Sequence, residues 1–141
     1  MTTNKIRVVL DSNIIGSILL GGLTRTRYLW LLDRLDSFEI CYSDKILEEI
    51  KRFPEIDFFK KKNITEETIE MFISSFQAYS LKIISVSNVK FGRDKNDYFL
   101  LSLSRDARAK YLITGDPDLL KIRKYANTQI ISMKEFIEIY S

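Results

Sequence analysis

The sequence contains no histidine, a single cysteine, two prolines and five glycines among its 141 residues. The absence of histidine removes the most frequent general base of enzymes and the most frequent metal ligand. A single cysteine excludes an intrachain disulfide and a cysteine-rich zinc site. This residue, Cys41, lies in the apolar stretch FEICY, which favours a buried side chain over a reactive thiol. A metal site in this chain must therefore be built from oxygen ligands, which suit hard divalent ions.

Long apolar runs are missing as well. No stretch approaches the roughly 18 apolar residues that cross a bilayer, and the N-terminus shows no signal-like segment. Together with the lone cysteine, this predicts a protein of the reducing cytoplasm with no membrane partner. The length of 141 residues predicts a single domain over residues 1–141, with a hydrophobic core of its own.

Charge of one sign does not dominate, because the sequence has 22 basic and 19 acidic residues and a net charge of +3. This excess is too small to indicate nucleic-acid binding by itself. If the acidic residues converge, however, the remaining surface is more basic than the total suggests. Four basic residues could then hold phosphates, with an ordinary solvated surface as the alternative for each. They are Arg25, Arg27, Arg93 and Lys95.

Hydrophobic periodicity predicts short strands that alternate with helices. Strands are expected over residues 6–10, 38–42, 81–86, 111–114 and 129–132. Helices are expected to begin near Ser12, Thr24, Ser43, Thr65, Lys95, Asp116 and Met133, whereas residues 60–62 favour a loop. This alternation predicts an α/β fold with a parallel sheet covered by helices on both faces. Ligands bind such sheets beyond the carboxyl ends of the strands.

Acidic residues cluster at four junctions between these elements. They are Asp11 in VVLDSN, Glu48 and Glu49 in SDKILEEI, Asp94 and Asp97 in RDKND, and Asp116 and Asp118 in TGDPD. The predicted topology brings these junctions to one edge of the sheet. Carboxylates gathered in one pocket repel each other unless cations occupy it. The pattern therefore predicts a site for a hard divalent cation.

Each motif taken alone also has a simpler structural explanation. Asp11 and Asp116 stand where they can cap the helices that follow them, and Pro117 fits the first position of a helix. Glu48 and Glu49 can be ordinary acids on the exposed face of a helix. Both border the apolar stripe of that helix, so either can be the acid of the site.

The order and spacing of the motifs resemble those of PIN domains, and in particular the VapC-like toxins of bacterial and archaeal toxin–antitoxin systems. The resemblance covers almost the whole chain, and RDxxD and TGDxDLL are its most specific parts. It implies a three-layer α/β/α sandwich with a central, mainly parallel sheet, and a ribonuclease that depends on Mg²⁺ or Mn²⁺. One departure is mild, since Ser12 and Asn13 stand where many members have threonine and asparagine.

Carried over residue by residue, the resemblance implies catalytic and metal-binding roles for Asp11, Glu49, Asp97 and Asp116. Auxiliary positions are Asn13, Glu48, Asp94, Thr114 and Asp118. RNA is the implied substrate, and the four basic residues named above would bind its phosphates. A cognate antitoxin and a second copy in a homodimer are the implied protein partners. The alternative is a catalytically silent module that binds RNA or protein on the same fold.

Overall fold

The computed structural model describes residues 4–85, 87 and 95–141, and for residues 95–97 it describes the backbone alone. The strands are β1 (Ile6–Leu10), β2 (Phe38–Tyr42), β3 (Leu81–Lys82), β4 (Tyr111–Ile113), β5 (Lys124–Tyr125) and β6 (Thr128–Ile131). The helices are α1 (Ser12–Leu20), α2 (Gly22–Leu32), α3 (Asp44–Lys51), α4 (Asp57–Lys61), α5 (Glu66–Tyr79), α6 (Lys95–Asp106), α7 (Pro117–Ile122) and α8 (Met133–Tyr140). A single 3-10 turn at Phe53–Glu55 precedes α4.

The strands form one sheet in the order β3-β2-β1-β4-β6-β5. Every neighbouring pair is parallel except β5 and β6. The chain moves in one direction from β1 to β3 and in the other from β3 to β6. Because such crossovers are right-handed, α1 to α5 cover one face of the sheet and α6 and α7 cover the other. The predicted three-layer α/β/α sandwich with a mainly parallel sheet is confirmed.

The central strand β1 is buried on both faces, and Val8 and Val9 have no exposed surface. This explains why the strand reads as a continuous apolar run rather than as an alternating one. An aromatic cluster around Phe136 of α8 extends the core toward the amino ends of the strands. The other four rings of this cluster, at 5.2 to 6.1 Å from that of Phe136, belong to Trp30, Phe38, Tyr111 and Tyr140. Helix α8 thereby closes the core over β2 and β4.

The third strand is shorter than the predicted span of residues 81–86. Only Leu81–Lys82 forms β3, and residue 86 lies outside the described residues. Asp106, at the end of α6, accepts hydrogen bonds from the Ser85 hydroxyl at 2.8 Å and from the Ser87 amide at 2.9 Å. These bonds hold Ser85 and Ser87 against α6, and Ile84 does not extend the sheet beyond the Ile83 contact with Tyr42.

Residues 53–62 contain more helix than the sequence predicts. Lys60 and Lys61, expected in a loop, belong to α4. The Phe59 ring of α4 stacks on the Phe53 ring with centroids 4.4 Å apart and also lies against Gly16 of α1. A Cβ atom at Gly16 would come within 2.7 Å of that ring. The glycine therefore lets α4 pack closely on α1, a tertiary contact that periodicity alone does not reveal.

Smaller differences concern helix ends. Helix α2 begins at Gly22 rather than Thr24, because Gly21 and Gly22 adopt positive φ angles of 96° and 74° that allow a sharp turn between α1 and α2. The helix predicted over residues 116–124 ends at Ile122, and Arg123 takes a left-handed φ of 64°. The chain then reverses into β5, an antiparallel edge strand absent from the sequence prediction. Within the described ranges, no helix is both long and apolar enough to span a bilayer.

Candidate functional site

The direction of the chain connections reverses at the centre of the sheet, where β1 lies beside β4. Open parallel sheets bind ligands beyond the carboxyl ends of the strands at such a reversal. Asp11 directly follows β1, and Thr114 directly follows β4. The Asp11 amide donates a hydrogen bond to the Ile113 carbonyl at 3.0 Å, which holds the two strand ends together. The residues that follow these strands form the candidate site.

Asp11 is almost completely buried, with 4% of its surface exposed. Its Oδ2 accepts a hydrogen bond from the Thr114 hydroxyl at 2.7 Å, and its Oδ1 accepts one from the Asn13 amide at 3.2 Å. Burial raises the pKa of Asp11, these two bonds lower it, and the nearby charge of Asp116 raises it. Among the described residues, Asp11 has no salt bridge. Asp11 is therefore both the N-cap of α1 and a buried carboxylate without a compensating cation.

Ser12 connects Asp11 with the acid on α3. Its hydroxyl donates to Glu49 Oε1 at 2.8 Å and lies 3.5 Å from Asp11 Oδ1. Because a hydroxyl carries one proton, the shorter contact with Glu49 takes it. Glu49 is half-buried whereas Glu48 is exposed, so Glu49 is the acid that faces the site. The sequence prediction treated Ser12 only as a helix cap, although a hydroxyl directly after Asp11 was a signal for this role.

The charge environment of Glu49 is mixed. Burial raises the pKa of Glu49, the hydrogen bond from Ser12 lowers it, and the charge of Asp11 raises it. Lys45 and Arg52, which lie on the same helix, lower the pKa further. The Glu49 carboxylate is therefore influenced by one buried carboxylate, Asp11, and by two cations, Lys45 and Arg52.

Thr114 connects Asp11 with Asp116. The Thr114 side chain is fully buried; it donates to Asp11 and accepts a hydrogen bond from the Asp116 amide at 3.0 Å. Asp116 caps α7, where its Oδ1 accepts a hydrogen bond from the Asp118 amide at 2.9 Å and Pro117 takes the first turn. Two hydroxyls therefore link the Asp11 carboxylate to the Glu49 carboxylate and to the backbone amide of Asp116. We call this the acid–hydroxyl line, and it consists of Glu49, Ser12, Asp11, Thr114 and Asp116.

The structure describes the remaining predicted acids and polar residues less completely. Asn13 is exposed in the first turn of α1, and Asp118 is half-buried in the first turn of α7. Asp97 lies in the first turn of α6, but its side chain is outside the described part of the chain, and Asp94 lies outside it entirely. Among the side chains that are described, no group of three or more acids or thiols is close enough to hold a metal by itself.

The predicted RNA-binding residues also differ in how they are placed. Arg25 donates to the carbonyls of Ile18 at 2.9 Å and Leu19 at 2.7 Å, and so closes the end of α1. Arg27 is half-buried on α2. Arg93 and the side chain of Lys95 lie outside the described residues. Phosphate binding by these four residues stays a prediction, and Arg25 has a structural role in any case.

Two comparisons with known proteins bear on this fold. The PIN domain family profile matches residues 7–118, which run from β1 into α7 and include every predicted acid. A chain of VapBC2 from Rickettsia felis, crystallised with a DNA fragment from their promoter, matches with a TM-score of 0.59 and 17% identity. The match covers 89% of this chain and 97% of that one, and at this identity it concerns the fold. None of the curated proteins matches. With most of its length and all four acidic motifs inside the family match, the chain belongs to the PIN domain family.

Proposed function

We propose that the protein is a ribonuclease that hydrolyses RNA phosphodiester bonds with Mg²⁺ or Mn²⁺ as its cofactor. PIN domains are generally nucleases. The observation that carries the proposal is the acid–hydroxyl line, which gathers Asp11, Glu49 and Asp116 where the strand connections reverse. The negative charge of Asp116 raises the pKa of Asp11, and that of Asp11 raises the pKa of Glu49, so a cation near them would offset this repulsion. Their oxygen-only chemistry suits a hard divalent ion.

In this proposal, four acids hold the metal, and three of them belong to the acid–hydroxyl line. The set is Asp11, Glu49, Asp97 and Asp116, with Asn13, Glu48, Asp94 and Asp118 as auxiliary residues. A divalent ion bound at such a site would activate a water molecule and would neutralise charge on the phosphoryl oxygens. The position of Asp97 in the first turn of α6 is compatible with this set.

The residues of the chain itself have distinct tasks. Thr114 and the Asn13 amide hold the Asp11 carboxylate in one orientation, and Ser12 orients Glu49. Because the chain has no histidine, we propose a carboxylate as the acceptor of the proton released by the attacking water. Glu49 suits this task best among the described acids, since it is half-buried and its pKa is raised by burial. Arg25, Arg27, Arg93 and Lys95 are the predicted phosphate contacts.

The proposal extends to the biological setting. We propose a toxin of a toxin–antitoxin pair, with an antitoxin that covers the site and a homodimer as the assembled form. The similarity of fold to VapBC2 supports this setting. A reducing cytoplasm is the proposed location, in keeping with Cys41, whose pKa burial raises to about 12 so that the thiol stays protonated. The competing proposal is a silent RNA- or protein-binding module, and it differs in requiring no cleavage.

The proposal is tested by RNA cleavage and thermal unfolding measured side by side. We expect the purified protein to cut single-stranded RNA with Mn²⁺ or Mg²⁺ and to stop when EDTA is added. A metal bound only by the folded state, at about 100 times its dissociation constant, adds about 2.7 kcal/mol of stability. The melting temperature should therefore rise with added Mg²⁺ or Mn²⁺ in the native protein. RNA binding without metal-dependent cleavage, and with an unchanged melting temperature, would favour the silent module.

Ser12 offers a finer test of the acid–hydroxyl line. Ser12→Ala removes the donor to Glu49, so the carboxylate loses its fixed orientation. We expect cleavage to fall by about 10- to 100-fold, the usual effect of losing a residue that orients a metal ligand. Ser12→Thr keeps the hydroxyl and should retain most of the activity. If the alanine and threonine variants cleave equally well, the hydroxyl has no orienting role.

A further inference from the structure

Three charged residues share one face of α3. Lys45, Glu49 and Arg52 are four and three residues apart, a spacing that places them in a row on a helix. Glu49 accepts the hydrogen bond from Ser12, so this row borders the acid–hydroxyl line. Lys45 and Arg52 are exposed, and neither was among the basic residues that the sequence prediction selected.

Lys45 reaches across from α3 toward α6. Its Nζ atom lies 5.5 Å from the centroid of the Phe99 ring. Phe99 is two residues beyond Asp97 in the first half of α6. The ammonium group of Lys45 is therefore placed between the two helices that carry Glu49 and Asp97. Lys45 therefore supplies a cation next to both helices that carry predicted site acids.

Helix stability does not account for Lys45. It occupies the first turn of α3, where the helix dipole favours acidic side chains over basic ones. A lysine four residues before a glutamate is also the less favourable order for an ion pair within a helix. Among the described residues, no salt bridge joins Lys45 to Glu49, and the adjacent Asp44 instead binds Lys82 at 3.1 Å. Arg52 stands at the C-cap, where a cation does stabilise a helix, so its case is weaker.

We propose that Lys45, with Arg52 as a second contact, binds the phosphate backbone of the RNA substrate beside the carboxylates. This inference rests on the proposed ribonuclease function and names its substrate-binding residues. An acidic cluster repels a polyanion, and cations at its edge offset that repulsion. The two cations flank Glu49 along α3 and hold the backbone along this helix, so that a phosphodiester is presented to Asp11 and Glu49.

The same helix supplies a matched control. Lys51 is exposed like Lys45, but it lines the groove between α3 and α5 together with Glu66 and Glu70. It does not contribute to the charge environment of Glu49. Replacing Lys51 removes the same charge from the same helix on a different side. The comparison therefore separates a local phosphate contact from a general change in net charge.

The test is binding of a short, fluorescently labelled single-stranded RNA, followed by anisotropy at several salt concentrations. It uses the full chain with Asp11→Asn, which prevents cleavage during the measurement, in the presence of Mg²⁺. Adding Lys45→Ala should weaken binding about five-fold and reduce the slope of log affinity against log salt by about 0.7, the value for one single-strand phosphate contact. Lys45→Arg should restore the slope, and Lys51→Ala should leave it unchanged. Arg52→Ala should act in the same direction as Lys45→Ala.

The outcomes separate this inference from the proposed function. Equal affinity and equal salt slope for Lys45→Ala and Lys51→Ala overturn the inference, even if the native protein cleaves RNA. A selective loss with Lys45→Ala in a chain that never cleaves refutes the nuclease and keeps the phosphate contact. If the native chain binds no RNA, both fail. In cleavage assays of the otherwise native chain, Lys45→Ala should raise KM more than it lowers kcat, which a purely structural role would not do.

Discussion

Replacing Asp11 by asparagine is expected to lower RNA cleavage on the order of 10³-fold or more, as for the loss of a central catalytic group. The substitution removes the buried negative charge at the centre of the acid–hydroxyl line. The asparagine has a single acceptor oxygen, so it can accept from the Thr114 hydroxyl or from the Asn13 backbone amide, but not from both. Because basic side chains rather than Asp11 are the proposed phosphate contacts, RNA affinity should change little. Single-turnover cleavage and anisotropy on the same preparation measure both quantities.

Thermal unfolding provides the control for this variant. Burial raises the pKa of Asp11 in the folded protein above its ordinary value of 3.8. For such an acid, the stability it contributes is present below the unfolded pKa and is lost as the pH rises through the folded pKa. Asp11→Asn removes that loss but keeps only one of the two hydrogen bonds to the side chain, so its metal-free melting temperature at neutral pH should stay close to that of the native chain. A lower melting temperature would mean that Asp11 serves chiefly to stabilise the fold. The control is Asp36→Asn, on the exposed loop before β2, which should leave the melting temperature unchanged.

Replacing Phe136 by alanine is expected to lower the free energy of unfolding by about 3–5 kcal/mol, the usual cost of deleting a buried phenyl ring. The Phe136 side chain has no exposed surface and contacts four other aromatic rings. Its removal leaves a cavity that rigid neighbours cannot fill. Urea denaturation measures the effect. Ile139→Ala on the same helix, 53% exposed, should stay within about 0.5 kcal/mol.

The same variant separates stability from catalysis. The aromatic cluster includes Phe38, the first residue of β2, and therefore lies at the amino ends of the strands. Asp11 and Thr114 lie at the carboxyl ends of β1 and β4. The folded fraction of Phe136→Ala should consequently cleave with an unchanged kcat. A loss of kcat beyond the loss of folded protein would mean that the two edges of the sheet are coupled.

The sequence predicted the site best where local structure determines it. A run of apolar residues that ends at Asp11 marks a buried strand followed by a helix cap, and residues 111–116 repeat the pattern. Parallel pairing then requires both ends to meet at one edge. These two local signals explain why Asp11, Thr114 and Asp116 were predicted and are found connected.

The remaining features depend on contacts between distant parts of the chain. Helix α4 packs against α1 because the Phe59 ring fits against Gly16, which has no side chain. Strand β3 ends early because Asp106 accepts hydrogen bonds from Ser85 and Ser87. The hydrophobic periodicity of the sequence does not reveal either contact. The choice between Glu48 and Glu49 likewise needed the position of Ser12 relative to α3. The strand order β3-β2-β1-β4-β6-β5 is a further property of the whole chain that local patterns leave open.

The hydroxyl of Thr114 has a fixed polarity. A backbone amide can only donate, so the contact with Asp116 obliges the Thr114 oxygen to accept there. While Asp11 is ionised, the single hydroxyl proton is then committed to its carboxylate. Valine has nearly the same shape, yet at this position it would leave an amide and a carboxylate oxygen without partners at the same time. Natural variation at this position should therefore be confined to the two residues that have a hydroxyl on Cβ, serine and threonine.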